Sequence, residues 1–144
     1  PHVIKITQET QFKNFFKDWR SYLIKMIIFF RFSEHPKVTG MTEYLSVSQG
    51  GKIKLKCKIA GSPLPKVTWL KDGRPLHHDF HISIKTKRKS STLRLSEAEG
   101  RDGGKYTCRA TNVLGEQSQT TSISVRVLGE YFTPVIFKSQ SKRL

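Results

Sequence analysis

Three histidines and an aspartate crowd into HHDFH, where His77, His78, Asp79 and His81 lie within five positions. Imidazole with carboxylate is the donor set of a divalent metal or the acid–base pair of a hydrolase. A metal needs three ligands converging on one point, and adjacent side chains on an extended chain point to opposite sides. The stretch therefore reads as an exposed loop, and no metal is expected. Serine, histidine and aspartate all occur, but no Gly-x-Ser-x-Gly elbow presents a nucleophile, and SQGGK lacks the spacing of a phosphate-binding loop. Cys57 and Cys108 stand 51 positions apart and belong to no Cys-x-x-Cys pair. They allow one disulfide or two free thiols, and no thiolate metal site. No catalytic residue and no cofactor is expected. The chain does not read as an enzyme.

Charge is the chemistry that remains. The 144 residues carry 26 Lys/Arg against 11 Asp/Glu, a formal net charge of +15. Residues 41–128 alone hold 16 basic and 7 acidic side chains, so no single tail explains the excess. Such a balance attracts polyanions, whether nucleic acid, acidic lipid or sulfated polysaccharide. One stretch concentrates it: in KIKLKCKIAG, Lys52, Lys54, Lys56 and Lys58 alternate with Ile53, Leu55, Cys57 and Ile59. Period two marks a strand with one face buried and one wet, and here the wet face is all lysine.

The elements that would position those lysines follow from the same pattern. Residues 1–35 show no clean period. FKNFFKDWRSYLIKMIIFF could form a basic, aromatic-rich helix, but its apolar residues fall nearly all round the wheel. The apolar run YLIKMIIFFRF, residues 22–32, contains Lys25 and Arg31 and falls short of the ~20 apolar residues that cross a bilayer, so no transmembrane span is expected. No cleavage site of small residues follows it. These 35 residues read as an extension, poorly ordered or helical, outside the main domain. From Val38 the texture changes to short β-type runs: residues 43–51, 52–60, 66–71, 80–86, 92–98, 104–112 and 116–128. Turn signals such as GSPLP and DGRPL separate them. Seven or eight short strands with turns every eight to twelve residues predict an all-β sandwich. Parity yields one buried set: Ile53, Leu55, Cys57, Ile59, Val67, Trp69, Ile82, Ile84, Leu93, Leu95, Tyr106, Cys108 and Val125. Residues 129–144 read as a tail with a basic end.

Several motifs now stand at fixed mutual spacing. Cys57, Trp69 twelve residues later and Cys108 have the Cys…Trp…Cys spacing of an immunoglobulin domain. DGGKYTC, with Asp102, Gly104, Tyr106 and Cys108, resembles the D-x-G-x-Y-x-C motif of that family. ATNVLGE resembles the A-x-N-x-x-G turn of its I-set class, and WLKDGRPL fits the short region that follows the tryptophan there. The resemblance covers residues 36–128. It implies an immunoglobulin-like (I-set) β-sandwich in which Cys57 and Cys108 pair and Trp69 packs on the disulfide. Tyr106, two residues before Cys108, would form the tyrosine corner, and Asp102 and Gly104 belong with it to the core signature. The lysine-rich stretch in ISIKTKRKSSTLRLSEAEGRDGGKYTC is most similar to the immunoglobulin domain of neuregulin-type growth factors, although no epidermal-growth-factor module follows here.

In that fold the strand of Lys52, Lys54, Lys56 and Lys58 shares a sheet with those carrying Lys85 and Arg94, with Lys87, Arg88 and Lys89 close by. The resemblance thus implies a basic sheet face suited to a linear polyanion. A disulfide implies an oxidising compartment, so the expected polyanion is heparan sulfate or a similar acidic glycan. Aromatic side chains that would stack on bases are not interleaved on this face, and nucleic acid is not expected. The expected function is a non-catalytic recognition module of a secreted or cell-surface protein, of growth-factor or adhesion type, contacting protein partners and heparan sulfate. The alternative is an intracellular structural module of a muscle or cytoskeletal protein, with the same cysteines reduced.

Overall fold

Strict alternation of apolar and polar residues commits most of the chain after Glu34 to strands. The computed structural model describes residues 2–127, and the expected tail 129–144 lies outside the described residues. The chain divides into two compact units, Pro1–Glu34 and His35–Leu144. The first consists of one long helix, α1 (His2–Phe32). Arg31 lies in its last turn, where a cation complements the negative end of the helix dipole, and the Ser33 hydroxyl donates to the Phe29 carbonyl. Trp19, Tyr22, Ile27, Phe30 and Phe32 are all exposed on it. Among the described residues no helix is long and apolar enough to cross a membrane.

The second unit is a two-sheet sandwich. Its strands are β1 (Glu34–Thr39), β2 (Tyr44–Ser48), β3 (Ile53–Ser62), β4 (Lys66–Lys71), β5 (Arg74–Pro75), β6 (Ile82–Lys87), β7 (Ser90–Leu95), β8 (Gly104–Asn112) and β9 (Gly115–Arg126). One sheet has the order β1-β3-β7-β6 and the other β2-β9-β8-β4-β5. β3 shows the alternation at its clearest: Ile53, Leu55, Cys57 and Ile59 are buried and Lys54, Lys56, Lys58 and Ala60 exposed. Between the sheets these four meet Trp69, Leu93, Leu95, Tyr106, Cys108, Ala110 and Ile123 in one apolar cluster. The all-β immunoglobulin-like sandwich inferred from the motifs is the fold observed.

The observed elements depart from the sequence reading in four places. Among the described residues nine strands form rather than seven or eight, because the first strand is split between the sheets and DGRPL, expected as a turn, contributes the two-residue β5. β1 lies beside β3, whereas β2 pairs parallel with β9. Side chains of β9 make the switch: Gln117 Oε1 accepts from the Val38 N–H at 2.6 Å and Gln119 Oε1 from the Met41 N–H at 3.0 Å. Gly40 turns the chain between them at φ +87°. β2 also ends at Ser48, before the Gly50–Gly51 turn. β3 runs on through Gly61 and Ser62, which the double-proline pattern suggests as loop; Gly61 sits at φ +141°, where an added Cβ would lie 2.8 Å from Pro65 Cγ. Within the expected core, Val67, Ile82, Ile84 and Val125 are only partly buried, while Val38, Leu70 and Ala98 are buried.

Candidate functional site

The scaffold beneath the site is pinned at the motif residues. Cys57 and Cys108 form the disulfide that joins β3 of one sheet to β8 of the other. Trp69 stands directly across from Cys108 in the β4–β8 register, on the same inner face. Its indole N–H donates to Ser91 Oγ at 2.8 Å, and that hydroxyl lies 2.9 Å from Thr86 Oγ1. Tyr106 donates its hydroxyl to the Asp102 carbonyl at 2.6 Å, which closes the tyrosine corner. Burial, with the negative charges of Asp102 and Asp72 nearby, pushes the Tyr106 hydroxyl well above its ordinary value, so it remains a donor. Gly104, at φ +146°, leaves room for the Asp72 carboxylate, which would lie 2.7 Å from a Cβ there and accepts from the Lys105 N–H at 2.9 Å. Asp72 and Gly73 both have positive φ, as a two-residue Asp-Gly hairpin turn between β4 and β5 requires.

Strand register assembles the basic residues. β3 and β7 pair Lys54 with Arg94 and Lys56 with Thr92, and β7 and β6 pair Thr92 with Lys85 and Ser90 with Lys87. Directly paired residues of neighbouring strands share a face. Lys54, Lys56, Lys85, Lys87 and Arg94 therefore converge on one shallow hollow of about 150 Å³, completed by Ser90 and Thr92. No carboxylate and no aromatic residue lines it. Lys58 lies farther along β3 on the same exposed face, Lys52 just precedes β3, and Arg88 and Lys89 form the β6–β7 turn. All nine are exposed. Five of the nine are thus gathered in one hollow, while Lys52, Lys58, Arg88 and Lys89 stand outside its lining.

What this arrangement can do is hold an anion. Ammonium and guanidinium groups around two hydroxyls offer donors to a sulfate, phosphate or carboxylate, with Arg94 able to bind two oxygens at once. Among the described residues no three His, Cys, Asp or Glu side chains gather as metal ligands would.

The HHDFH stretch needs one correction. It is not an exposed loop throughout, because His81 folds inward and its Nε2 lies 2.9 Å from Asp102 Oδ2, with side-chain exposures of 12% and 7%. The same Asp102 oxygen accepts from the Glu99 N–H at 2.7 Å, so this carboxylate ties together two loops, while the main-chain carbonyl of Asp102 holds the tyrosine corner. Sequence alone offers no cue for the pair beyond the motif aspartate. Asp79 closes its own turn by accepting from the His81 and Ile82 N–H groups at 2.8 and 2.7 Å. Those two bonds, the one from Ile82 foremost, hold its carboxyl below the ordinary value of 3.8.

Residues 36–125 match the model of the immunoglobulin I-set domain. The chain belongs to the I-set family. Among curated relatives, hemicentin-1 of Mus musculus is 41% identical over 78 residues, 54% of this chain and 1% of its own length. Fibroblast growth factor receptor-like 1 of Gallus gallus is 43% identical over 76 residues, 53% of this chain and 15% of its own length. Cardiac-type myosin-binding protein C of Mus musculus is 38% identical over 96 residues, 67% of this chain and 8% of its own length. The chain thus spans a small fraction of each. A chain in the crystal structure of the titin M10–obscurin-like 1 Ig complex superposes with TM-score 0.61 at 30% identity, covering 66% of this chain and 96% of that one. The I-set family is generally non-catalytic, and its domains serve as protein-binding modules. This chain's relatives are not specifically of the neuregulin type.

Proposed function

We propose that the sandwich is a non-catalytic recognition module of a secreted or cell-surface protein, of growth-factor or adhesion type. It contacts a protein partner and holds heparan sulfate, or a similar acidic glycan, on the β3–β7–β6 face. The observation that carries the glycan reading is the hollow in which five cations and two hydroxyls meet with no carboxylate among them. Successive lysines on β3 lie ~7 Å apart, a row suited to an extended, repeatedly sulfated chain. The Cys57–Cys108 disulfide supports an oxidising compartment.

The intracellular structural module is the second reading, favoured by the likeness to cardiac-type myosin-binding protein C. Thiol alkylation of the natural protein followed by mass spectrometry separates the two. The extracellular reading expects neither cysteine to be alkylated without prior reduction, and two alkylated cysteines would establish the intracellular one.

Elution from immobilised heparin tests the face itself. Exposed charge is screened by salt, the Debye length falling from ~10 Å at 0.1 M to ~3 Å at 1 M. Replacing Lys54, Lys56 and Arg94 together with Ser should lower the eluting salt substantially. Replacing Lys66, Lys105 and Arg126 with Ser, exposed cations of the other sheet, removes the same charge and should lower it much less. Equal shifts would mean that only net charge is felt and that the hollow is no site.

A further inference from the structure

Beside the hollow, toward the Ile53–Leu95–Ile82 end of the same sheet, the outer face dips into a second recess of about 420 Å³. Pockets that bind organic ligands run from ~300 to ~1,000 Å³. This one differs from the hollow in chemistry, because its lining is mostly apolar. Ser83 and Ser96, small residues in outward register, leave the depression. Lys52, Lys54 and Arg94 border it, and long basic side chains lay aliphatic stems along apolar surface while keeping their charges in water. Phe80 completes the rim and is 96% exposed. A phenyl ring held out so fully gains nothing for the fold, and large aromatics at a recess are the usual anchors of recognition. The loop that carries it is fixed rather than slack, since the Asp79 carboxylate accepts two backbone N–H groups immediately beyond the ring. Asp79 is the one carboxylate on the rim, and those two N–H groups engage it.

The geometry points to a docking site for an acidic peptide segment that presents an aromatic side chain. An aromatic ring fills the recess against Phe80 in an edge or offset contact, which adds to what the buried area contributes. Lys54 and Arg94 pass within cation–π reach of such a ring, and flanking carboxylates of the peptide meet Lys52, Lys54 and Arg94. A sulfated glycan satisfies the cations but leaves the apolar recess empty. The site therefore shares two cations with the anion hollow and does not depend on glycan binding there.

Fluorescence anisotropy with the full chain tests it, using a labelled nonapeptide of Glu and Ser with one central Trp, and the same peptide with Ala in place of Trp. The Trp peptide should bind at least tenfold tighter. Phe80→Ala should remove most of that difference, and Ser83→Leu, which fills the recess from an exposed strand position, should do the same. Both variants should elute from heparin as the parent does, which also reports that the sandwich is folded. Equal binding of the two peptides, or no binding of either at millimolar concentration, would overturn the proposal. So would a Trp preference untouched by Ser83→Leu. A wild-type dimer in sedimentation that Phe80→Ala dissociates would assign the recess to a second copy of this chain instead.

Discussion

Asp102 joins three partners through its side chain and its main chain. Its carboxylate meets His81 and the Glu99 N–H, while its carbonyl receives the Tyr106 hydroxyl. Asp102→Ala leaves the half-buried His81 ring and the Glu99 N–H without their acceptor, and hydrogen bonds to a charged group contribute ~1.5–3 kcal/mol each. The variant should unfold with a loss of about 3 kcal/mol in denaturant titration; a loss below 0.5 kcal/mol would mean that the cluster is ornamental. Asp79 offers a second check. Because its carboxyl titrates below the ordinary value, its loop bonds are complete above pH 3.8 and are lost as the pH falls further through the lowered value. The amide shifts of His81 and Ile82 should therefore move together with a midpoint below 3.8. A midpoint at or above that value would contradict the turn. The lysines of β3 were legible in the sequence because a two-residue period alone sets their face. The His81–Asp102 contact was not, since it joins residues 21 apart through loops whose course no local pattern dictates.

At the level of elements, the pattern revealed strands wherever four or more alternating positions were present, as in β3 and β8. It failed at β1, where only Pro36 and Val38 are buried and the strand lies at the edge of its sheet. An edge tolerates proline, whose missing N–H costs no ladder bond there. The split between β1 and β2 was equally hidden, because it rests on glutamine side chains of a strand nearly 80 residues away. The two sheets depend on a covalent link as well as on packing. Closing a 51-residue separation restricts the unfolded chain by about 4 kcal/mol in the chain-entropy account. Replacing Cys57 and Cys108 together with Ala should lower the unfolding free energy by about that amount while leaving the far-ultraviolet spectrum of the folded state unchanged. An unchanged midpoint would show that the link adds nothing to stability.

Across the whole molecule, the core cluster of the described residues lies between Val38 and Ile123, and we propose that the sandwich folds without α1. Deleting residues 1–33 should leave the midpoint of the sandwich transition where it was, and a fall of several degrees would show that the helix packs on it. In the sequence the proposed boundary rests on a change of texture, since residues 1–35 show no clean period whereas alternation begins at about Val38. The same sandwich gathers five of its cations in one hollow on an outer face, and that placement is the centre of the functional account. The most direct measurement follows backbone amides by NMR as a heparin-derived hexasaccharide is added to the full chain. The largest shifts should fall on Lys54, Lys56, Lys85, Lys87, Thr92 and Arg94, and should shrink as salt is raised. Small shifts spread over both sheets in proportion to local charge would contradict a site on this face.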